Sequence, residues 1–341
     1  MDSFKIYSQS DIDSLINTRN GEEKLGQHIQ IYSHCEEDST QTISLACLQQ
    51  STAQYVLLGI PEDIGVRANL GNAGAKTAWK SALKAFLNTQ SNSFLKGDEV
   101  LVLGHFEIEE PADISIQGLR NKTNEIDALV YPVIQKIAQV GKIPIVIGGG
   151  HNNAAPIISG VSIALNKPLN VVNIDAHADL RDTKEGRHSG NGFSYAMQHG
   201  HLNQYRVFGL QENYVHQSLP AYIAASKNIA VIYFEDLLTS KKAIEETWED
   251  FVKDLPEPSG LEIDLDSIEN VLSSAITSSG FALNDIRKIL LSNHKKYSYL
   301  HICEGATELA DGRKDLTTGK TIAYLVSDFI KALRPHISQK L

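Results

Sequence analysis

Three places in the chain hold metal-ligating side chains at close spacing. Gly148-Gly149-Gly150-His151 closes one apolar run, Asp175-Ala176-His177-Ala178-Asp179 follows from a second, and Asp264-Leu265-Asp266 lies at the end of a third. In extended backbone, residues two apart point to the same side. Asp175, His177 and Asp179 can therefore converge, and so can Asp264 and Asp266, while Ala176 and Ala178 face away and keep the segment compact. The glycines before His151 let backbone approach a crowded site. The set amounts to four carboxylates and two imidazoles without a thiolate. One compact divalent ion does not need so many ligands. Two ions roughly 3.5–4 Å apart do, with some carboxylates shared between them. An oxygen-rich set containing imidazole favours Mn2+, two per chain, over structural zinc. Taken singly, an Asp-x-Asp reads as a helix cap or turn and a Gly-Gly-Gly-His as a loop. The occurrence of all three at the ends of apolar runs is what points to a metal centre.

The elements that must position these residues are short apolar runs: 55–60, 99–104, 143–150, 169–175, 205–210, 229–234, 260–265 and 297–305. They are continuous rather than alternating, which predicts strands buried on both faces. Between them lie amphipathic stretches. Residues 76–87 place Trp79, Leu83 and Phe86 at helical spacing, and 318–334 does the same with Ile322, Leu325, Phe329 and Leu333. Strand and helix alternating in this way predict an α/β fold: one three-layer α/β/α domain around a mainly parallel, eight-stranded sheet. We assign residues 54–341 to that domain and 1–53, polar and weakly patterned with an acidic run at 35–38, to an N-terminal extension packing on it. In such sheets function collects at the carboxyl ends of the strands, where all three motifs fall.

Composition narrows the classes. Of 341 residues, 42% are hydrophobic and 21% charged, which fits a folded chain with a large core and excludes disorder for its bulk. Lys and Arg number 31 against 41 Asp and Glu, a net charge of -10. Nucleic-acid binding, which needs basic surface, is not expected. No apolar run approaches the ~20 residues of a membrane helix, and the start of the chain lacks a signal-peptide pattern. Cys35, Cys47 and Cys303 form no CxxC and cannot all pair, so no disulfide framework is expected and the cytoplasm is the default compartment.

These motifs resemble those of the ureohydrolases: arginase, agmatinase and formimidoylglutamase. GGGH, DAHADLR and Asp264-Leu265-Asp266 are similar to the family's three metal motifs. Residues 59–75, GIPEDIGVRANLGNAGA, resemble the formimidoylglutamase segment DEGVRRNxGRxGA, and RHSGNGFSYA at 187–196 resembles the HSGTPFR loop. The similarity spans about residues 55–335 and implies the arginase-like α/β fold. There are departures. The usual DxDxxDP carries Glu269 for its later Asp and Asn270 in place of its Pro, Asn72 stands where Arg is common, and Gly190-Asn191-Gly192 replaces Gly-Thr-Pro.

The resemblance implies that Asp175 and Asp264 bridge two ions, with His151 and Asp179 completing one site and His177 and Asp266 the other. Two cations stabilise hydroxide near neutral pH, and the carbon attacked is that of an amidine or guanidine. Asp179 would accept a hydrogen bond from the nucleophile. His188 would shuttle a proton to the leaving amine, a role suited to an imidazole. Glu304 would pair with the cationic nitrogen of the substrate.

The expected reaction is hydrolysis of N-formimidoyl-L-glutamate to L-glutamate and formamide, as in histidine breakdown. Its two carboxylates call for cations, and Arg grips carboxylate with two parallel bonds. Arg181 is the first candidate, with Arg187 supporting, Asn191 donating a neutral hydrogen bond, and Arg67 further off. The alternatives are another ureohydrolase acting on agmatine, arginine or a guanidino acid, and a non-catalytic metal-binding protein on the same fold. A single-zinc deacetylase is disfavoured because the chain has no His-His pair. The partner is a small molecule, with a homo-oligomer compatible. His105 follows a strand end and is a candidate for lining the pocket. His199-Gly200-His201 reads as a helix end and turn, Cys303 as a buried inert thiol, and residues 312–321 lack the spacing of a phosphate loop.

Overall fold

The computed structural model describes residues 3–33 and 43–332. All eight apolar runs form strands: β3 (Tyr55–Gly59), β4 (Val100–Phe106), β5 (Ile143–Ile147), β6 (Leu169–Ile174), β7 (Leu202–Leu210), β8 (Ile229–Tyr233), β9 (Ser259–Asp264) and β10 (Leu300–Cys303). Two further strands come from the N-terminal segment, β1 (Phe4–Ile6) and β2 (Gln30–Ile31). They contain three and two residues, too few to show an apolar run. The sheet therefore has ten strands, in the order β1-β4-β3-β5-β10-β9-β6-β7-β8 with β2 also on β4. Every pairing is parallel except β1 with β4.

Continuous apolar runs are explained by burial on both faces. Along β3, Val56 and Leu58 join one core while Tyr55 and Leu57 join the other. The first core is closed by the helices Ile116–Gln139 and Ala154–Leu165, through Val130, Val133, Ile157 and Val161. The second is closed by Ala78–Leu87, Ile244–Val252, Leu283–Ser292 and Thr318–Ala332, through Phe86, Trp248, Ile289 and Phe329. Three layers result. The helix expected over 318–334 is present to Ala332; Leu333 and the acidic run at 35–38 lie outside the described residues. Cys47 is disulfide-bonded, a single bridge where no disulfide framework was expected, while Cys303 is free and buried. No helix among the described residues is long and apolar enough to cross a membrane.

The topology places β5, β10, β9 and β6 side by side at the centre of the sheet. One packing detail there requires glycine. A Cβ on Gly260 of β9 would stand 2.0 Å from Cε1 of the Tyr299 ring. Gly260→Ala should overpack this layer and cost ~1–3 kcal/mol. Urea unfolding measures it, and an unchanged midpoint would show that the ring moves aside freely.

Candidate metal centre

Three strand ends deliver the candidate ligands, and a fourth among them, β10, delivers Glu304. After β5, Gly148 and Gly149 take left-handed backbone at φ 87° and 78°, and His151 opens a short 3-10 turn. A Cβ at Gly149 would meet Asn153 Nδ2 at 2.3 Å, so the turn needs glycine. β6 ends at Ile174, before the Asp175–Asp179 motif. Its three ligands therefore converge through irregular backbone, not through strand alternation as expected, and Asp179 itself is left-handed at φ 49°. β9 ends at Asp264, whose Oδ1 accepts from Asp266 N at 2.9 Å and caps the 3-10 turn carrying Asp266. Glu304 follows β10, also left-handed at φ 62°. Left-handed backbone at a non-glycine residue is uncommon and concentrates at functional sites.

The side chains form two groups that share one residue: His151, Asp175, Asp179 and Asp264 in the first, Asp175, His177 and Asp266 in the second. His151 Nδ1 lies 3.3 Å from Asp175 Oδ2, 3.0 Å from Asp179 Oδ2 and 3.0 Å from Asp264 Oδ2. His177 Nδ1 lies 3.7 Å from Asp175 Oδ1 and 3.2 Å from Asp266 Oδ2. Asp175 thus turns one oxygen to each group.

The group fits a cation. His151 Nδ1 is buried amid three carboxylates yet has no properly aligned hydrogen-bond partner, and Asp266 Oδ1 is likewise buried and unpaired. Buried polar atoms are normally satisfied, so such atoms call for an explanation. Burial, with the Asp266 and Asp175 carboxylates beside it, pushes Asp264 well above the usual carboxylate range. Burial chiefly raises Asp179 too. Carboxylates that repel one another in a dry site are relieved by divalent ions.

Several buried groups hold this arrangement. Glu62, which the sequence reading missed, collects the loop after β5. Its Oε1 accepts from Gly150 N at 3.0 Å and from Asn153 Nδ2 at 2.6 Å, and its Oε2 from Ile64 N at 2.7 Å. A lone acid after a strand carries no signal of that role. Glu304 Oε1 accepts from His151 N at 2.8 Å, and burial raises its pKa to about 8. His188 Nδ1 accepts from Gly190 N at 3.1 Å, leaving Nε2 to carry the ring proton, 3.4 Å from Glu185 Oε2. Burial lowers its pKa to about 4, below the near-neutral value expected, so the ring is neutral near pH 7.

Beside the ligands opens a cleft of about 1130 Å3, lined by His177 and Asp179 together with Asn69, Arg181, Glu185, Gly190 and Tyr214 among others. Arg181 stands in its wall with a side chain 53% exposed, paired to Glu185 Oε2 at 3.0 Å. Arg187 is different. Its side chain is 0% exposed, and it bonds Asp127 at 2.6 and 3.0 Å, Asn152 O at 2.7 Å and Asn191 Oδ1 at 3.0 Å. Asn191 is buried as well and donates to Gly186 O at 2.7 Å. The expectation that Arg187 and Asn191 touch substrate is corrected: both lie behind the cleft wall and tie the His188 loop to the turn after His151. Arg67 is engaged by Asp63 and Glu110. His105 packs on Tyr7 and Trp79 and is not a cleft residue. Asn69, unnoticed in sequence, lines the cleft, whereas Asn72 binds Asp311. Tyr214, also unnoticed, packs on the His177 ring at 4.6 Å. Glu269 and Asn270 are exposed, so the departures in the third motif fall outside the ligand cluster.

Known proteins resemble this chain in sequence and in fold. A family model described as the arginase family matches residues 53–315. A formimidoylglutamase of Hahella chejuensis is 29% identical over 197 residues, 55% of this chain and 56% of that protein. One of Streptococcus pyogenes serotype M3 is 31% identical over 192 residues, 54% of this chain and 55% of its own. The chain spans about half the length of these relatives in the matches. Among solved structures, a Trypanosoma cruzi formiminoglutamase with Mn2+ superposes with a TM-score of 0.68 at 19% identity, covering 85% of this chain and 99% of that one. The formimidoylglutamase of Bacillus subtilis gives 0.73 at 16% identity, covering 93% of each. At these identities the structural likeness concerns the fold.

The Arg187 clamp yields a test. Arg187→Met removes charge-assisted hydrogen bonds inside the protein and should lower stability by ~1.5–3 kcal/mol. Thermal or urea unfolding reads this directly. A variant with unaltered stability and a raised KM would return Arg187 to the substrate.

Proposed function

This chain belongs to the arginase family, and on that basis we propose that it is a metal-dependent hydrolase of carbon–nitrogen bonds in linear amidines, with N-formimidoyl-L-glutamate as substrate and L-glutamate and formamide as products. The observation that carries the reading is Asp175, which belongs to both ligand groups at the centre of the sheet. In this reading His151, Asp175, Asp179 and Asp264 would hold one Mn2+, and His177 and Asp266, with Asp175 and Asp264 again, would hold the other. When bound, the ions supply a deprotonated water at neutral pH and stabilise developing negative charge.

The chain's own residues do the rest. Asp179 accepts a hydrogen bond from the nucleophile and fixes its direction. Glu304, raised by burial, binds the cationic amidine nitrogen, which in turn favours the carboxylate form. His188 is neutral at rest with its proton on Nε2; a proton taken up at Nδ1, in exchange for the bond from Gly190 N, would make the imidazolium, whose Nε2–H passes to the leaving amine. The geometry that supports this is the hydrogen bond at Nδ1, which keeps the ring proton on Nε2, the nitrogen that donates. Arg181 is the cation of the cleft wall and would leave Glu185 for a substrate carboxylate. The names of the two sequence relatives support formimidoylglutamate.

One observation favours a second reading within the family. Glu185 and Asp182 line the same wall as Arg181. That mixture suits a zwitterionic head, carboxylate on Arg181 and ammonium on Glu185, as arginine would present.

Apo-protein titrated with Mn2+ should take up two ions, and Asp264→Ala fewer than two. Fully loaded, active Asp264→Ala protein would remove Asp264 from the centre. Mn2+-loaded protein offered formimidoylglutamate, arginine, agmatine and guanidinobutyrate should release formamide from the first in preference to urea from the others. Arg181→Met should lower kcat/KM for formimidoylglutamate roughly ten- to a hundred-fold, the worth of one charge-assisted contact of ~1.5–3 kcal/mol. It should leave any turnover of the carboxylate-free agmatine nearly unchanged. Equal losses on both would make Arg181 a support of the fold, and a wild-type preference for arginine would establish the second reading.

A further inference from the structure

Behind His151, away from the cleft, lies a polar group that the proposed reaction does not use. Glu262 of β9 and His301 of β10 are partners in the parallel register. His301 Nδ1 is 2.6 Å from Glu262 Oε2, and Tyr299 Oη donates to Glu262 Oε1 at 2.7 Å. Glu262, His301 and Tyr299 are each 0% exposed. These are central strand positions where the neighbouring Leu261 and Ile263 are apolar, as a sheet covered on both faces demands. A buried ion pair is weak evidence for stability, because a well-packed apolar pair does as well or better. Its place in the sheet therefore calls for another reason.

That reason is the direction in which it faces. Glu262 Oε2 lies 3.5 Å from His151 Nε2, within ion-pair range but not aligned as a hydrogen bond, while His151 Nδ1 points to Asp175, Asp179 and Asp264 on the opposite side of the ring. An imidazole can ligate an ion through Nδ1 only if that nitrogen carries no proton, and Nε2 must then carry it. A carboxylate facing Nε2 selects this tautomer, and such an outer carboxylate commonly orients a ligating histidine and strengthens it as a donor. His301 and Tyr299 hold the carboxylate in place, one on each oxygen.

We propose that Glu262, anchored by His301 and Tyr299, is a positioning residue that sets the tautomer and orientation of His151 toward the carboxylate cluster. This rests on the reading of His151 as a metal ligand. It gives the two halves of the centre different supports. The half containing His151 depends on Glu262, and the half built from His177 and Asp266 does not touch it.

The test is Mn2+ titration of apo-protein followed by electron paramagnetic resonance of the free ion, which resolves two affinities. Glu262→Gln keeps the shape and removes the charge. It should weaken one of the two ions about 10–100-fold, the usual effect of losing an outer partner, and leave the other at its wild-type affinity. Unchanged binding of both ions would overturn the role of Glu262, and so would an equal loss at both, which marks general damage. If Glu262→Gln does not fold, His301→Gln decides. It loosens the carboxylate without removing it and should cost several-fold at the same ion, and wild-type affinity would overturn the proposal. Binding of a third equivalent that is lost in Cys303→Ser would also overturn it, since Glu262, His301 and Cys303 would then form a metal site of their own. Wild-type protein that took up no Mn2+ would overturn the metal reading, and this inference with it.

Discussion

Mutual repulsion among buried carboxylates is the constraint on which this structure turns. Asp175, Asp179, Asp264 and Asp266 crowd together at the ends of the adjacent strands β6 and β9, with Glu304 of β10 a short step behind. Burial and neighbouring negative charge push Asp264 and Glu304 upward in pKa. A protein can place charges in this way only if something else offsets them. The unpaired Nδ1 of His151 and Oδ1 of Asp266 point to cations as what offsets them.

The surroundings are organised to keep those atoms from relaxing apart. Each support reaches the cluster from a different direction. Glu62 gathers amides of the loop after β5. Arg187 ties Asp127 on the helix Ile116–Gln139 to the turn after His151 and to the His188 loop. Glu262 stands behind the His151 ring. Two buried carboxylates and a buried guanidinium thus perform by fixed geometry what a mobile loop could not, since preorganised dipoles need not reorient during reaction. The left-handed residues Asp179 and Glu304 mark where the backbone accepts strain to keep a side chain aimed at the cluster.

The cleft is less uniform than a dianionic substrate alone would require. Arg181 is its arginine, and Glu185 lies against it. Under the proposed function, recognition of a carboxylate there would exchange one anionic partner of Arg181 for another, which discriminates by geometry more than by net attraction. Tyr214 covers the His177 ring from the solvent side and gives the wall an apolar surface.

The sequence by itself determined the candidate ligand cluster and eight of the ten strands. His151, Asp175, His177, Asp179, Asp264 and Asp266 were legible because metal-binding residue types recur at tight spacing just after apolar runs, and such runs are strands whose carboxyl ends meet. Arg181 was legible as a cation near the same mouth. Tertiary structure alone decided which cations face inward. Arg187 and Arg181 stand six residues apart and look equivalent in sequence, yet one is sealed beneath a loop and the other lines the cleft. Side-chain direction in irregular backbone follows no period, so no spacing could separate them. Glu62, Glu262 and Asn69 were silent for the same reason: their roles come from what packs against them, and those partners lie up to 120 residues away in the chain. The strands β1 and β2 escaped notice because a two- or three-residue strand is held by the edge it joins, not by a pattern of its own.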